Sequence, residues 1–312
     1  MGIVNSKKFY ELAFLGDYAI GGFQAYDMEM IQGIIAAAAE TQSPVIVQAS
    51  CRALKYAGAE MIYQITRIEA DKNQLPIVLH LDHGESVDQC RVAVDAGFSS
   101  VMLDCGEDSW EKKIEKTREA AQYVHEKGAV LEGEAVIRGD VKEIWITFPE
   151  MAAEFVERTE CDSLSICVGN SHALYGRGFP EDEKPYIRME LLKKIHQAVP
   201  HTPLVLHSIS VGNRKLEERL KKAGGRNRNY QVFSVDEIWQ AMKYGVVKCN
   251  VGTNKLAMTV GVREKLIQDS RETDPRVYLG AGRDVIREAV ENQIRTVFLS
   301  DGKLTDSYGG EI

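Results

Sequence analysis

Several features are missing from this 312-residue chain, and each absence removes a class of function. No apolar run reaches the ~18 residues of a membrane span, and no short apolar leader follows the N-terminus, so a soluble, uncleaved, cytoplasmic protein is expected. "MGIVNS" fits a short myristoylation pattern that also arises by chance, and an ordinary N-terminus is expected. Excess positive charge is missing too. The net charge of −8 argues against a nucleic-acid surface and, more weakly, against docking on anionic lipid. Cysteine pairs are absent: the six cysteines, at 51, 90, 105, 161, 167 and 249, form no C-x-x-C, and reduced buried thiols are expected. No G-x-G-x-x-G follows any apolar run, which removes the dinucleotide fingerprint.

What is present is a regular alternation. Short apolar runs occupy 17–24, 44–50, 76–82, 99–105, 129–135, 163–169, 203–208 and 246–252, and amphipathic segments such as "EMIQGIIAAAAET" and "SVDQCRVAVDAG" lie between them. Near-continuous β-branched runs separated by helices indicate a parallel sheet covered by helices. Eight βα units predict an α/β fold of the closed (β/α)8 TIM-barrel type, a single domain over 1–312 with its site at the C-terminal strand ends. A long basic insertion is expected at about 209–235, after strand seven, where long loops tend to be functional or disordered. The segment 136–149 is expected to act as a lid, 283–299 reads as a C-terminal helix, and the tail "SDGKLTDSYGGEI" reads as poorly ordered unless it packs on a neighbour.

Chemistry collects at the strand ends. Strand three ends in Asp82 and His83, strand four in Asp104, strand five in Glu132 and Glu134, strand seven in His207 and strand eight in Asn250, while His172 follows strand six. Three of the seven histidines thus fall at the barrel mouth. Three imidazoles on three strands make a facially open metal site that suits zinc, with cobalt or manganese as the other fitting ions. His125, His196 and His201 need no role beyond solvation. Strand alternation points His80 inward as a hydrogen-bond partner. It leaves Asp82 at the mouth as a general base beside the metal, or as a helix cap or orienter of His83. Asp104 and Glu134 are either a second metal position or carboxylates that orient the histidines.

With these residues in view the chain resembles the class II, metal-dependent fructose- and tagatose-bisphosphate aldolase family, as a divergent member. The resemblance runs through "HLDHGES", "DAGFSSVMLD", "GNSHALYG", "LVLHS", "KCNVGTN" and "DPRVYLGAGRDVIREAV". It implies a lyase in carbohydrate metabolism that cleaves a ketose phosphate reversibly, with one zinc per chain held by His83, His172 and His207 and a monovalent cation as a further expectation. It makes Asp82 the acid/base, places Asp104 and Glu134 at an alternative metal position, and matches Ser50, Gly169 and Asn250 to substrate contacts. Arg283 matches an arginine lent to a neighbouring subunit, which implies a homodimer or homotetramer. The departures matter. "SISVG" stands where the family has "GGSG", Gly252 replaces a side chain that helps read sugar stereochemistry, and Gln24 replaces an asparagine. Glu143 is the surviving candidate for a second catalytic acid. Ser208, Ser210 and Thr253 are expected to hold a terminal phosphate, helped by Arg226 or Arg228 or by neither, and a preference altered from fructose 1,6-bisphosphate is expected. The rival expectations are a metal-dependent sugar epimerase or isomerase and a non-catalytic barrel subunit of an aldolase complex.

Overall fold

The computed structural model describes residues 2–138, 145–170, 186–209, 211, 214–226 and 233–304. In chain order the elements are α1 (Lys7–Gly16), β1 (Ile20–Gln24), α2 (Met28–Thr41), β2 (Ile46–Ser50), α3 (Cys51–Ala57), α4 (Ala59–Lys72), β3 (Val78–Gly84), α5 (Val87–Asp95), β4 (Ser100–Leu103), α6 (Trp110–Glu126) and β5 (Val130–Glu134). After a two-residue pair, β6 (Ile137–Arg138) and β7 (Trp145–Ile146), come α7 (Pro149–Thr159), β8 (Ser163–Ile166), α8 (Met189–Ala198) and β9 (Leu204–Leu206). The chain continues through α9 (Arg214–Lys222), α10 (Val235–Met242), β10 (Val246–Val251), α11 (Thr253–Gln268) and α12 (Pro275–Gln293), and α12 ends in a π-turn, Ile294–Phe298.

Eight parallel strands close in the order β1-β10-β9-β8-β5-β4-β3-β2, so the fold is a (β/α)8 barrel. Every apolar run expected to form a strand does so. The outward side chains of these strands, such as Val47, Leu79, Val101 and Leu131, are fully buried under the helices. Local signals set the helix starts: Asp27 accepts from the Met30 amide at 2.8 Å, and Ser234 with Glu237 forms a reciprocal capping box. No disulfide joins any of the six cysteines.

Two expectations change. The C-terminal helix begins at Pro275, not at 283, because Asp274 caps it and Pro275 pre-sets the first helical φ. The first five residues of the tail are packed, not loose: the Gly302 amide donates to Thr41 O at 2.8 Å, the Leu304 amide donates to Gln42 O at 2.9 Å, and Leu304 is buried. Within the described part of the insertion after the seventh barrel strand, α9 buries Leu216 and Leu220, and Arg219 forks onto Glu264 of α11 at 2.7 and 2.9 Å. In the segment 136–149, Thr147 Oγ1 donates to Ala135 O at 2.7 Å, and residues 139–144 lie outside the described structure.

Candidate metal centre and active site

The site sits at the C-terminal mouth and opens into a cavity of about 810 Å³. Asp82 and His83 are consecutive, so an undistorted strand would send them to opposite faces. The pairing of β3 with β4 shifts register between Leu81 and Gly84, and His83 takes the left-handed φ of 53°. This bulge re-aims the side chains, and both residues line the cavity. His207 directly follows β9, and the next residue, Ser208, takes the left-handed φ of 61°.

Two imidazoles meet there. His83 Nε2 and His207 Nδ1 stand 3.0 Å apart, with Asp82 Oδ1 3.9 Å from each. One donor atom from each of these three residues lies within 4.8 Å of the others. The opposite ring nitrogens are held by carboxylates: His83 Nδ1 pairs with Asp104 at 2.8 Å and His207 Nε2 pairs with Glu132 at 2.7 Å. A carboxylate behind each ligating imidazole is the arrangement that orients histidine toward a metal. The donor set therefore fits a divalent cation held by nitrogen and oxygen.

The charges around the site are set by its carboxylates, and a cation bound at His83 would have to displace a proton. Burial alone would lower His83, but Asp82, the bond to Asp104 and Glu134 overcome it and raise the imidazole to about 10. Burial would likewise raise Asp82, yet His83, His207 and Lys248 hold its carboxyl below the ordinary range. Asp82 is therefore a carboxylate at neutral pH. It accepts from Asn250 Nδ2 at 2.8 Å and from Gln24 Nε2, which fixes its orientation. Glu134 behaves in the opposite way, because burial and then the neighbouring Asp104 push it up to about 8.

Beneath the mouth lies a polar layer. Lys248 is fully buried and donates to Glu132 Oε2 at 2.6 Å and to His80 Nε2 at 3.0 Å. His80 faces inward as expected and pairs through Nδ1 with Ser100 Oγ at 2.8 Å. Burial, then the Lys248 ammonium, lowers His80 to about 3, so it stays neutral. Lys248 and Glu132 had no assigned role in the sequence. The signal that finds them is parity: Lys248 stands two residues before Asn250, and Glu132 two before Glu134, so alternation turns them to the same side.

Of the expected substrate contacts, Gln24, Ser50, Ser208, Asn250, Gly252 and Thr253 all line the cavity. Ser50 also caps α3, accepting from the Ala53 amide at 3.3 Å. Gly169 adopts φ 116° close to Tyr186 O, and a side chain there would collide with that carbonyl. Arg283 is not brought to this chain's cavity; it donates to Gln32 Oε1 at 3.0 Å on α2. His172, Glu143, Ser210 and Arg228 lie outside the described residues. Arg52, Lys255 and Arg263 also line the cavity and carried no expectation.

A parallel barrel whose mouth holds two carboxylate-backed histidines beside a third carboxylate defines the class: a (β/α)8 protein with a candidate metal centre at its C-terminal face. Residues 4–303 match the family described as fructose-bisphosphate aldolase class-II. A fructose-bisphosphate aldolase of Giardia intestinalis is 34% identical, the match covering 89% of this chain and 87% of that protein. One from Geobacillus stearothermophilus is 33% identical, covering 97% of this chain and 99% of its own. The crystal structure of the YdjI aldolase from Escherichia coli K12 superposes with a TM-score of 0.78 at 29% identity, covering 97% of this chain and 99% of that one. The chain belongs to the class II fructose-bisphosphate aldolase family, and it is an aldolase, a carbon–carbon lyase.

Proposed function

We propose that the protein catalyses reversible, zinc-dependent aldol cleavage of a ketose phosphate, with a substrate preference altered from fructose 1,6-bisphosphate. The observation that carries this reading is the convergence of His83 Nε2 and His207 Nδ1 beside the Asp82 carboxylate. His83 and His207, together with His172, would hold the ion, and Asp104 and Glu132 aim the first two. Bound zinc supplies Lewis-acid stabilisation of the oxygen charge that builds up as the C–C bond breaks.

The remaining work falls to the chain. Asp82 takes the proton from the hydroxyl beside the scissile bond, and Asn250 and Gln24 keep its oxygens aimed. Glu143 is the proposed second acid, which protonates the donor carbon. A substrate phosphate fits the N-terminus of α11, where Gly252 provides no side-chain cap and the first turn holds no acidic residue. Ser208 and Thr253 flank that point on the cavity wall. The altered preference is supported by Gly252 and by "SISVG", which change the strand-seven and strand-eight corner. The exposed apolar side chains Tyr56, Met61 and Ile68 on α3 and α4 support a homo-oligomer, and the lack of any disulfide among the six cysteines supports a cytoplasmic enzyme.

The test is a zinc-loaded assay for the aldehyde released from ketose phosphates, or for their formation from dihydroxyacetone phosphate and aldehydes. Production of an isomeric sugar with no aldehyde, or activity that survives complete chelation, would overturn the proposal.

A further inference from the structure

The turn at His83 is gripped from outside the cavity. β2 and β3 are registered with Ser50 opposite Asp82, so the next residues, Cys51 and His83, meet where β2 ends. No loop follows β2: Ser50 is its last residue and also the cap of α3, so Cys51 is the first helical residue and stays beside β3. Its Sγ lies 3.0 Å from His83 O and 2.8 Å from Gln89 Oε1. Gln89 belongs to the first turn of α5, where its amide donates to Ser86 Oγ at 3.3 Å and its Oε1 also accepts from the Glu85 amide at 2.8 Å. One junction thus joins the start of α3, the end of β3 and the start of α5.

The direction of each bond is fixed by its partners. The Glu85 amide can only donate, so the Gln89 atom that meets it is the oxygen, and the His83 carbonyl can only accept. Cys51 is buried, and a buried thiol keeps its proton, so Sγ is the donor to both. That proton is shared between acceptors on two different elements. The turn needs such a hold. A left-handed φ is unfavourable for a residue with a Cβ, and it persists only where the surroundings enforce it. His83, at φ 53°, has its ring held by Asp104 and its backbone carbonyl held by Cys51. Neither Cys51 nor Gln89 lines the cavity, so any effect they have on a bound cation passes through His83.

We propose that Cys51 and Gln89 are positioning residues of the metal centre: the thiol, seated on Gln89, clamps the His83 carbonyl and with it the turn that aims the imidazole at His207. Once the carbonyl is released, His83 relaxes toward ordinary strand geometry, in which alternation turns its ring away from the face of Asp82. The consequence for metal binding rests on the reading of His83 as a ligand. The clamp on the turn does not, and it is tested apart.

The test uses the full chain loaded with Co2+, whose visible absorption reports ligand geometry, together with three variants. Cys51→Ala removes the donor and Cys51→Ser keeps one. Gln89→Met keeps the bulk but removes the acceptor that seats the thiol, and since Gln89 is half-buried it does so without opening the core. Cys51→Ala and Gln89→Met are each expected to weaken Co2+ binding by about tenfold or more, and Cys51→Ser to stay within about threefold of wild type, in competition with a chromogenic chelator. The cobalt bands should change in the first two and keep their wild-type form in Cys51→Ser, which a loss of general stability would not produce. Wild-type affinity and bands in either Cys51→Ala or Gln89→Met, or a loss in Cys51→Ser as large as in Cys51→Ala, would overturn the proposal. If the wild type binds no Co2+, or His83→Ala binds it equally well, the metal reading fails and the metal-free chain decides the clamp. There the His83 ring resonance, identified by its loss in His83→Ala, should move in Cys51→Ala and Gln89→Met and return in Cys51→Ser. A resonance that stays in place in Cys51→Ala would show that the thiol does not hold the turn.

Discussion

Asp82 and His83 are neighbours in the chain, yet both face the cavity, and Asp82 Oδ1 lies 3.9 Å from the ring nitrogens of both His83 and His207. The bulge that allows this places the proposed base and a proposed metal ligand on one turn of backbone. Because burial is outweighed by the neighbouring histidines and Lys248, the Asp82 carboxyl is deprotonated at neutral pH. Asp82→Asn keeps the shape and the acceptor for Asn250 but removes the base. The expected result is a fall in kcat of about 10²–10⁴ with zinc still near one per chain. Steady-state kinetics with elemental analysis checks it, and parallel loss of zinc would make Asp82 a ligand instead.

His83→Ala and His207→Ala should each lose metal and activity together. Glu132→Gln tests the orientation of His207 and is expected to weaken zinc binding by about 10–100-fold. Competition with a chromogenic chelator measures this directly, and unaltered affinity would remove Glu132 from the centre.

Lys248 and Glu132 form a fully buried ion pair at 2.6 Å. Removing one partner strands the other charge in the interior, so Lys248→Met should cost about 3–5 kcal/mol of stability. Double substitution of Lys248→Met with Glu132→Gln should recover part of that loss. Urea unfolding of the metal-free proteins gives both values.

His80 provides a pH signature. Its folded value of about 3 lies below the ordinary one of 6.5, so the unfolded chain binds the proton more readily. The contribution is fully present above about pH 6.5 and declines as the pH falls towards 3. Between pH 6.5 and 5 it should remove about 2 kcal/mol, at ~1.4 kcal/mol per unit. Metal-free wild-type protein should therefore lose more stability over that interval than His80→Gln, as measured by urea unfolding at both pH values. Equal slopes would show that His80 is not held neutral.

Gly252 has an ordinary φ of −94°, and a Cβ there would meet nothing within 4 Å. Gly252→Asp should therefore fold with stability within about 0.5 kcal/mol of wild type. It should also shift the ratio of kcat/KM between stereoisomeric ketose phosphates by about tenfold or more. An unchanged ratio would mean that this position does not contact the sugar.

Much of this was legible in the sequence, because strands and helices announce themselves through local periodicity. The eight apolar runs and the punctuating glycines determined the barrel, the polar residues at the strand ends its functional face, and the resemblance carried by motifs such as "HLDHGES" and "GNSHALYG" implied the family. Tertiary structure alone decided the rest. His207 and His83 meet across 124 positions and Lys248 and Glu132 across 116, and no local pattern encodes such separations. The bulge at His83 breaks the very alternation from which facing is read, so only the built strand shows Asp82 and His83 side by side. Likewise, "RKLEERLKKAGGR" reads only as part of a long basic insertion until Arg219 is seen paired with Glu264 and Glu288 while Arg226 lines the cavity. A charge count is local, but whether a charge is neutralised depends on what the fold brings beside it.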